Sequence, residues 1–288
     1  MKIGLIDVDG HNFPNIALMK ISMYHKLSGD YVEWVNYFNH YDIVYKSKIF
    51  TFSPDDYSYV DANKIIVGGT GYDSSIKLPL YIEQCECDYS IYPRYKEAYG
   101  FLTRGCIRNC AWCIVPRKEG LIHKNADIEE ILQGRKVAIL MDNNVLASDW
   151  GLDQIEKIIR LKVKIDFNQG LDARLIDDEK AQLLSKVKWY KPLRMACDTK
   201  SQMPYIEKAT YLLRKHGTSP SNYFVYVLVK DIEDALERVE FLRKLKLDPF
   251  AQPYRNFENN YIDPEAKRFA RWVNHKAIFK SVEFKNYK

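Results

Sequence analysis

Short apolar blocks alternate along the chain with longer stretches in which apolar residues recur every third or fourth position, the pattern of strands alternating with amphipathic helices. The first block, residues 2–8, closes on Asp7-Val8-Asp9-Gly10, a strand running into a turn. Apolar side chains at 16, 18, 19, 21, 23 and 27 then follow helical spacing. Blocks at 41–45, 49–52 and 64–67 read as further strands, the last leading into Gly68-Gly69-Thr70-Gly71. A glycine-rich turn at a strand's carboxyl end, with a helix between strands, predicts a small Rossmann-like parallel α/β domain over 1–94. Residues 85–94 serve as its connector.

From residue 97 the alternation becomes regular. Strands are predicted at 99–102, 137–141, 163–167, 193–196, 223–229 and 249–252. Helices fall at 127–132, 152–161, 177–186, 203–215 and 231–245, with Asp177 or Asp178 and Asp231 as amino-terminal caps. Fewer than the eight βα units of a closed barrel fit into about 160 residues. The expected fold class is therefore α/β, a partial (β/α)6 TIM-like barrel over 95–262. A carboxyl-terminal helix and tail occupy 263–288, with Trp272 packed into the barrel wall and not stacked with Arg271 on nucleic acid.

Composition narrows the classes. An apolar share of 47% fills a core. Lys and Arg number 43 against 38 Asp and Glu, so the net charge of +5 falls short of the dense cationic run of a nucleic-acid binder. The longest apolar run, Tyr223–Val229, is far below the about 20 residues of a membrane-spanning helix, so no membrane partner is expected. Asp7 interrupts the first apolar stretch too early for a secretory signal. Six cysteines are too sparse for a disulfide scaffold. Three of them crowd together at 106, 110 and 113, which points to metal ligation in a reducing, cytoplasmic compartment.

The most informative segment is Thr103-Arg104-Gly105-Cys106-Ile107-Arg108-Asn109-Cys110-Ala111-Trp112-Cys113, directly after a strand. A cubane iron–sulfur cluster usually takes four thiolates, one per iron. Three from one tight loop leave an iron open to chelate a small molecule. The competing readings are a structural zinc loop and incidental buried cysteines. Zinc wants four closed ligands, and the nearest residue downstream able to serve is His123.

This Cys-x3-Cys-x-aromatic-Cys loop, with Trp112 in the aromatic slot, resembles the signature of the radical S-adenosylmethionine (SAM) superfamily. The resemblance implies a [4Fe-4S] cluster on Cys106, Cys110 and Cys113 whose open iron binds SAM. It also implies reductive cleavage of SAM to a 5′-deoxyadenosyl radical, and an external electron donor of flavodoxin or ferredoxin type. It further suggests SAM-seating roles by position. Asp142, Asn143 and Asn144 follow the second barrel strand, Gln169 and Arg174 the third, and Asp198 ends the fourth. Cys197 reads as a small buried hydrophobe. Gln252 and Tyr254 lie just past the sixth strand, at the mouth.

Asp9-Gly10-His11, Ser47-Lys48-Ile49 and Gly68-Gly69 resemble, in order, the signature of cobalamin-binding domains, with His11 as cobalt ligand and Asp9 steering it. Pro14 and Ile49 depart from that signature and the spacings are short, so a degenerate domain without cobalamin is expected. The cluster loop with Pro116 and Gly120 also resembles tRNA methylthiotransferases, a nucleic-acid-modifying alternative. Those enzymes carry three further amino-terminal cysteines, whereas here only Cys85 and Cys87 precede the loop, and both read as linker residues. A non-catalytic metal-stabilised interaction module is the remaining alternative. The substrate and the oligomeric state are not encoded in any motif.

Overall fold

The computed structural model describes every residue except 11–12, 220–222, 257–258 and 288; His11 lies outside the described residues. The chain divides into two compact units, Met1–Tyr99 and Gly100–Lys288.

The first unit is built from β1 (Lys2–Asp7), α1 (Ile16–Leu27), β2 (Tyr31–Trp34), β3 (Tyr41–Ser47), β4 (Ala62–Gly68) and the short α2 (Leu80–Glu83). The four strands form one parallel sheet in the order β2-β1-β3-β4. Asn15 caps α1 by accepting from Leu18 N at 3.2 Å. Leu18, Met19 and Ile21 are buried on that helix. Residues 49–52 are not a strand, contrary to their apolar character: the buried carboxylate of Asp9 takes the Ile49 and Phe50 N–H groups that a ladder would need. The strand that periodicity missed, β2, is a half-exposed edge without clean alternation.

Strand β5 (Ala98–Gly100) runs across the boundary, and the second unit continues with β6 (Thr103–Arg104), α3 (Val115–Glu119) and β7 (His123–Lys124). Next come α4 (Ile128–Leu132), β8 (Val137–Leu140), α5 (Asp149–Leu161), β9 (Lys164–Phe167), α6 (Asp178–Ser185) and β10 (Lys188–Trp189). It closes with β11 (Leu193–Ala196), α7 (Met203–Lys215), β12 (Tyr223–Val229), α8 (Ile232–Lys244), β13 (Asp248–Pro253), α9 (Pro264–Asn274) and α10 (Lys276–Ser281). Beside the antiparallel pair β6-β7, two larger sheets result, ordered β10-β9-β8-β5 and β11-β12-β13, and every registered pairing within these two is parallel. A single parallel bridge, Leu171 to Met195, lies between them, and the strands do not close into a barrel among the described residues.

Helix starts follow the sequence. Asp177 accepts from Lys180 N and Asp231 from Asp234 N, each at 2.8 Å. The helix predicted within 263–288 instead breaks at His275, whose non-helical backbone (φ −89°, ψ 89°) separates α9 from α10. Trp272 is fully buried among Phe269, Phe279 and Phe284, and its indole donates to the Val282 carbonyl at 2.8 Å.

Candidate iron–sulfur and nucleotide site

Parallel strands end on one side, and ligands in open α/β sheets bind beyond those carboxyl ends. Here that edge collects the segments after β5, β8, β9, β11, β12 and β13.

The cysteine loop is the most constructed of these segments. It stands on a two-rung antiparallel stem in which Thr103 faces Lys124 and Arg104 faces His123. Above the stem, Cys106 N donates to Gly120 O at 3.2 Å. The Glu119 carboxylate accepts from Gly105 N at 3.0 Å, from Arg104 Nη2 at 2.8 Å and from Asn143 Nδ2 at 2.8 Å. Gly105 must be glycine: its φ is +78°, and an added Cβ would lie 2.3 Å from Leu121 O. Inside the loop, Cys113 N bonds Cys110 O at 3.0 Å, and α3 with Pro116 in its first turn ends the turn region.

The root of the loop is nailed to the sheet by Asp142. This residue is 2% exposed, and its two oxygens accept from Leu102 N (3.2 Å), Thr103 N (2.6 Å) and Thr103 Oγ1 (2.7 Å). Burial pushes its carboxyl up to about 6 despite those bonds. Of the trio after β8, Asp142 therefore braces backbone, Asn143 serves Glu119, and Asn144 approaches a cysteine. Asn144 Nδ2 lies 3.5 Å from Cys106 Sγ and 3.4 Å from Asp172 Oδ2.

Asp172 is a hub that the sequence did not single out. Arg174 grips it with a two-pronged fork at 2.7 and 3.0 Å, and Arg108 Nε adds a bond at 3.0 Å. Burial works against the charged carboxylate, but the two guanidiniums outweigh it and hold the pKa below the ordinary range. Arg174's fork is thus engaged by its neighbour two residues back. Gln169 is exposed. Asp198 accepts from Leu228 N at 3.0 Å, with burial raising its carboxyl. On the far side of the loop, the Lys230 ammonium lies over both the Trp112 ring (5.7 Å) and the Tyr254 ring (4.9 Å), so the aromatic slot meets the ends of β12 and β13. Gln252 is exposed. Cys197 is fully buried, its thiol pushed up to about 12 by desolvation.

All six cysteines are free thiols. Burial raises the Cys113 thiol, and Cys110 and Cys106 raise it further by their charge. Burial likewise raises Cys110, with Arg174 opposing and Cys106 adding to the rise. The three thiols are thus near enough to feel one another. Among the described residues, however, no three His, Cys, Asp or Glu side chains converge on a single ion. The Arg108 N–H at 3.3 Å and the Asn144 amide at 3.5 Å both meet Cys106 Sγ. Asp172, Glu119 and Lys230 went unseen because their roles come from contacts across sequence. Only the Asp172-x-Arg174 spacing carried a local hint.

No protein-family model matches the chain, and no curated protein does. Solved structures do. The chain is similar to the cobalamin-dependent S-adenosylmethionine radical enzyme OxsB, whose structure holds aqua-cobalamin and S-adenosylmethionine, at 13% identity and a TM-score of 0.56, covering 97% of this chain and 56% of that one. It is also similar to Streptococcus suis SuiB, alone and bound to S-adenosylmethionine, at 15% identity and TM-scores of 0.47 and 0.46. Those matches cover 65% and 64% of this chain and 47% and 48% of those chains. The chain spans about half the length of each. Over nearly its whole length it shares the fold of a S-adenosylmethionine radical enzyme.

Proposed function

We propose that this protein is a radical SAM enzyme whose second unit is a partial (β/α)6 barrel carrying a [4Fe-4S] cluster on Cys106, Cys110 and Cys113. The observation that carries the reading is the loop itself. Three free thiols within eight residues are presented at the carboxyl edge of the sheets by a stem, a glycine turn and a carboxylate clasp. When bound, the cluster supplies the electron that splits the sulfonium of SAM into methionine and a 5′-deoxyadenosyl radical.

The chain's own residues do the rest. Asp142 and Glu119 fix the loop's ends, so that the thiols present one arrangement. Arg108 and Arg174 bring positive charge beside the sulfurs and so lessen the repulsion among three thiolates. Trp112, Tyr254 and Lys230 offer two ring faces and a cation at the mouth, where a nucleoside and a carboxylate can be held. The electron arrives from an external flavodoxin- or ferredoxin-type donor.

Anaerobic reconstitution with iron and sulfide tests this. The wild type is expected to gain a brown chromophore and, with reductant and SAM, to release 5′-deoxyadenosine. Cys106→Ala, Cys110→Ala and Cys113→Ala should each lose both. A wild-type protein that assembles no cubane, or holds one with every iron on a protein side chain, would refute the proposal.

A further inference from the structure

We infer that Asn144 sets the reduction potential of the cluster through a hydrogen bond from its side-chain amide to the sulfur of Cys106, an inference that rests on the radical SAM reading above. Asn144 is 2% exposed, and its Nδ2 points between Cys106 Sγ at 3.5 Å and Asp172 Oδ2 at 3.4 Å. The amide's orientation follows from its neighbours. Asp172, held ionised by Arg108 and Arg174, only accepts, and a metal-bound thiolate also only accepts. Turning the amide over would set its oxygen against both.

The choice has a visible cost. Asn144 Oδ1 is buried without a partner among the described residues. A side chain that leaves its own carbonyl unsatisfied to keep its donor in place is committed to that donor. Of the three loop thiols, Cys106 is the one with a side-chain donor among the described residues, and the Arg108 N–H meets the same sulfur at 3.3 Å.

Reduction of a cluster adds one negative charge, part of which resides on its sulfurs. An N–H dipole aimed at one of them stabilises the reduced form more than the oxidised form, the more so away from water. The bond therefore raises the potential. Asp172 acts one step behind as a positioning residue, aligning the amide while its own charge is offset by two guanidiniums.

The test is an EPR-monitored redox titration of the anaerobically reconstituted full chain without SAM. Asn144→Ala should retain the cluster and shift its midpoint to more negative potential. Asn144→Asp, isosteric and without the donor, should shift it further. Asn143→Ala, which removes a bond to Glu119 and none to sulfur, should leave the midpoint in place. Electron–nuclear double resonance of the reduced cluster should lose one exchangeable proton coupling in Asn144→Ala. An unchanged midpoint in the Asn144 variants, or an equal shift in Asn143→Ala, overturns the inference. So does a wild type that loads normally while neither Asn144 variant loads, since Asn144 would then be structural. A wild type that never loads removes the radical SAM reading itself.

Discussion

At the scale of single residues, Asp142 shows how a polar turn becomes structural. Its carboxyl is buried under the backbone it braces, and desolvation raises its pKa to about 6 from an ordinary value of 3.8. A carboxyl raised in the folded state binds its proton more tightly there than in the unfolded chain. It contributes stability that is fully present below about pH 3.8 and is lost as pH rises through about 6. The difference of two units corresponds to about 3 kcal/mol. The advantage of wild type over Asp142→Asn in urea unfolding should therefore be larger near pH 4.5 than near pH 7.5. A flat difference between those conditions would mean that Asp142 does not titrate there. The sequence placed Asp142 at the correct strand end but could not say which way it faced: a carboxylate turned to a ligand and one turned to backbone have the same letters around them.

Among the elements, the helices and strands of the second unit were the most legible part of the chain. Their apolar blocks are short, buried runs such as β8 and β9 or clean alternation as in β12, and Asp177 and Asp231 mark helix starts as their chemistry demands. What ties those elements together was not legible. Arg238 on α8 is 1% exposed; it pairs with Asp234 and donates to the Cys197 carbonyl at 2.7 Å and the Leu228 carbonyl at 3.0 Å. One guanidinium thus straps a helix across the ends of β11 and β12, the segments that carry Asp198 and lead to Lys230. Charged residues on helices usually face water, so periodicity alone reads Arg238 as surface. Arg238→Leu strands two buried carbonyls and should cost about 2–4 kcal/mol in urea unfolding. Arg238→Lys should recover less than half. A loss under about 1 kcal/mol would show that the strap carries no weight.

Over the whole molecule, two α/β units follow one another along the sequence, and 97% of the chain matches the fold of OxsB at a TM-score of 0.56. The first unit was read only in outline: its edge strand β2 lacks alternation, and Ile49 and Phe50 give their N–H groups to Asp9. Asp9 is also the residue that would steer a cobalt-ligating imidazole. One of its oxygens is spent on Ile49 and Phe50, while the other is buried without a partner among the described residues. Ser47, from the same signature, accepts from Asn15 Nδ2 at 2.9 Å. With that wiring, the full chain mixed with aqua-cobalamin and desalted should keep no corrinoid absorbance. Retained cobalamin with a spectrum shifted by imidazole ligation would reverse this expectation.

The clasp of Glu119 has a further consequence. Drawing together the two ends of a flexible segment of this length ordinarily costs roughly 2.5 kcal/mol of chain entropy. Here the antiparallel stem and the Glu119 carboxylate offset that cost from within the protein. A segment pinned at both ends has fewer shapes to sample, which keeps its three thiols within one short excursion of the chain.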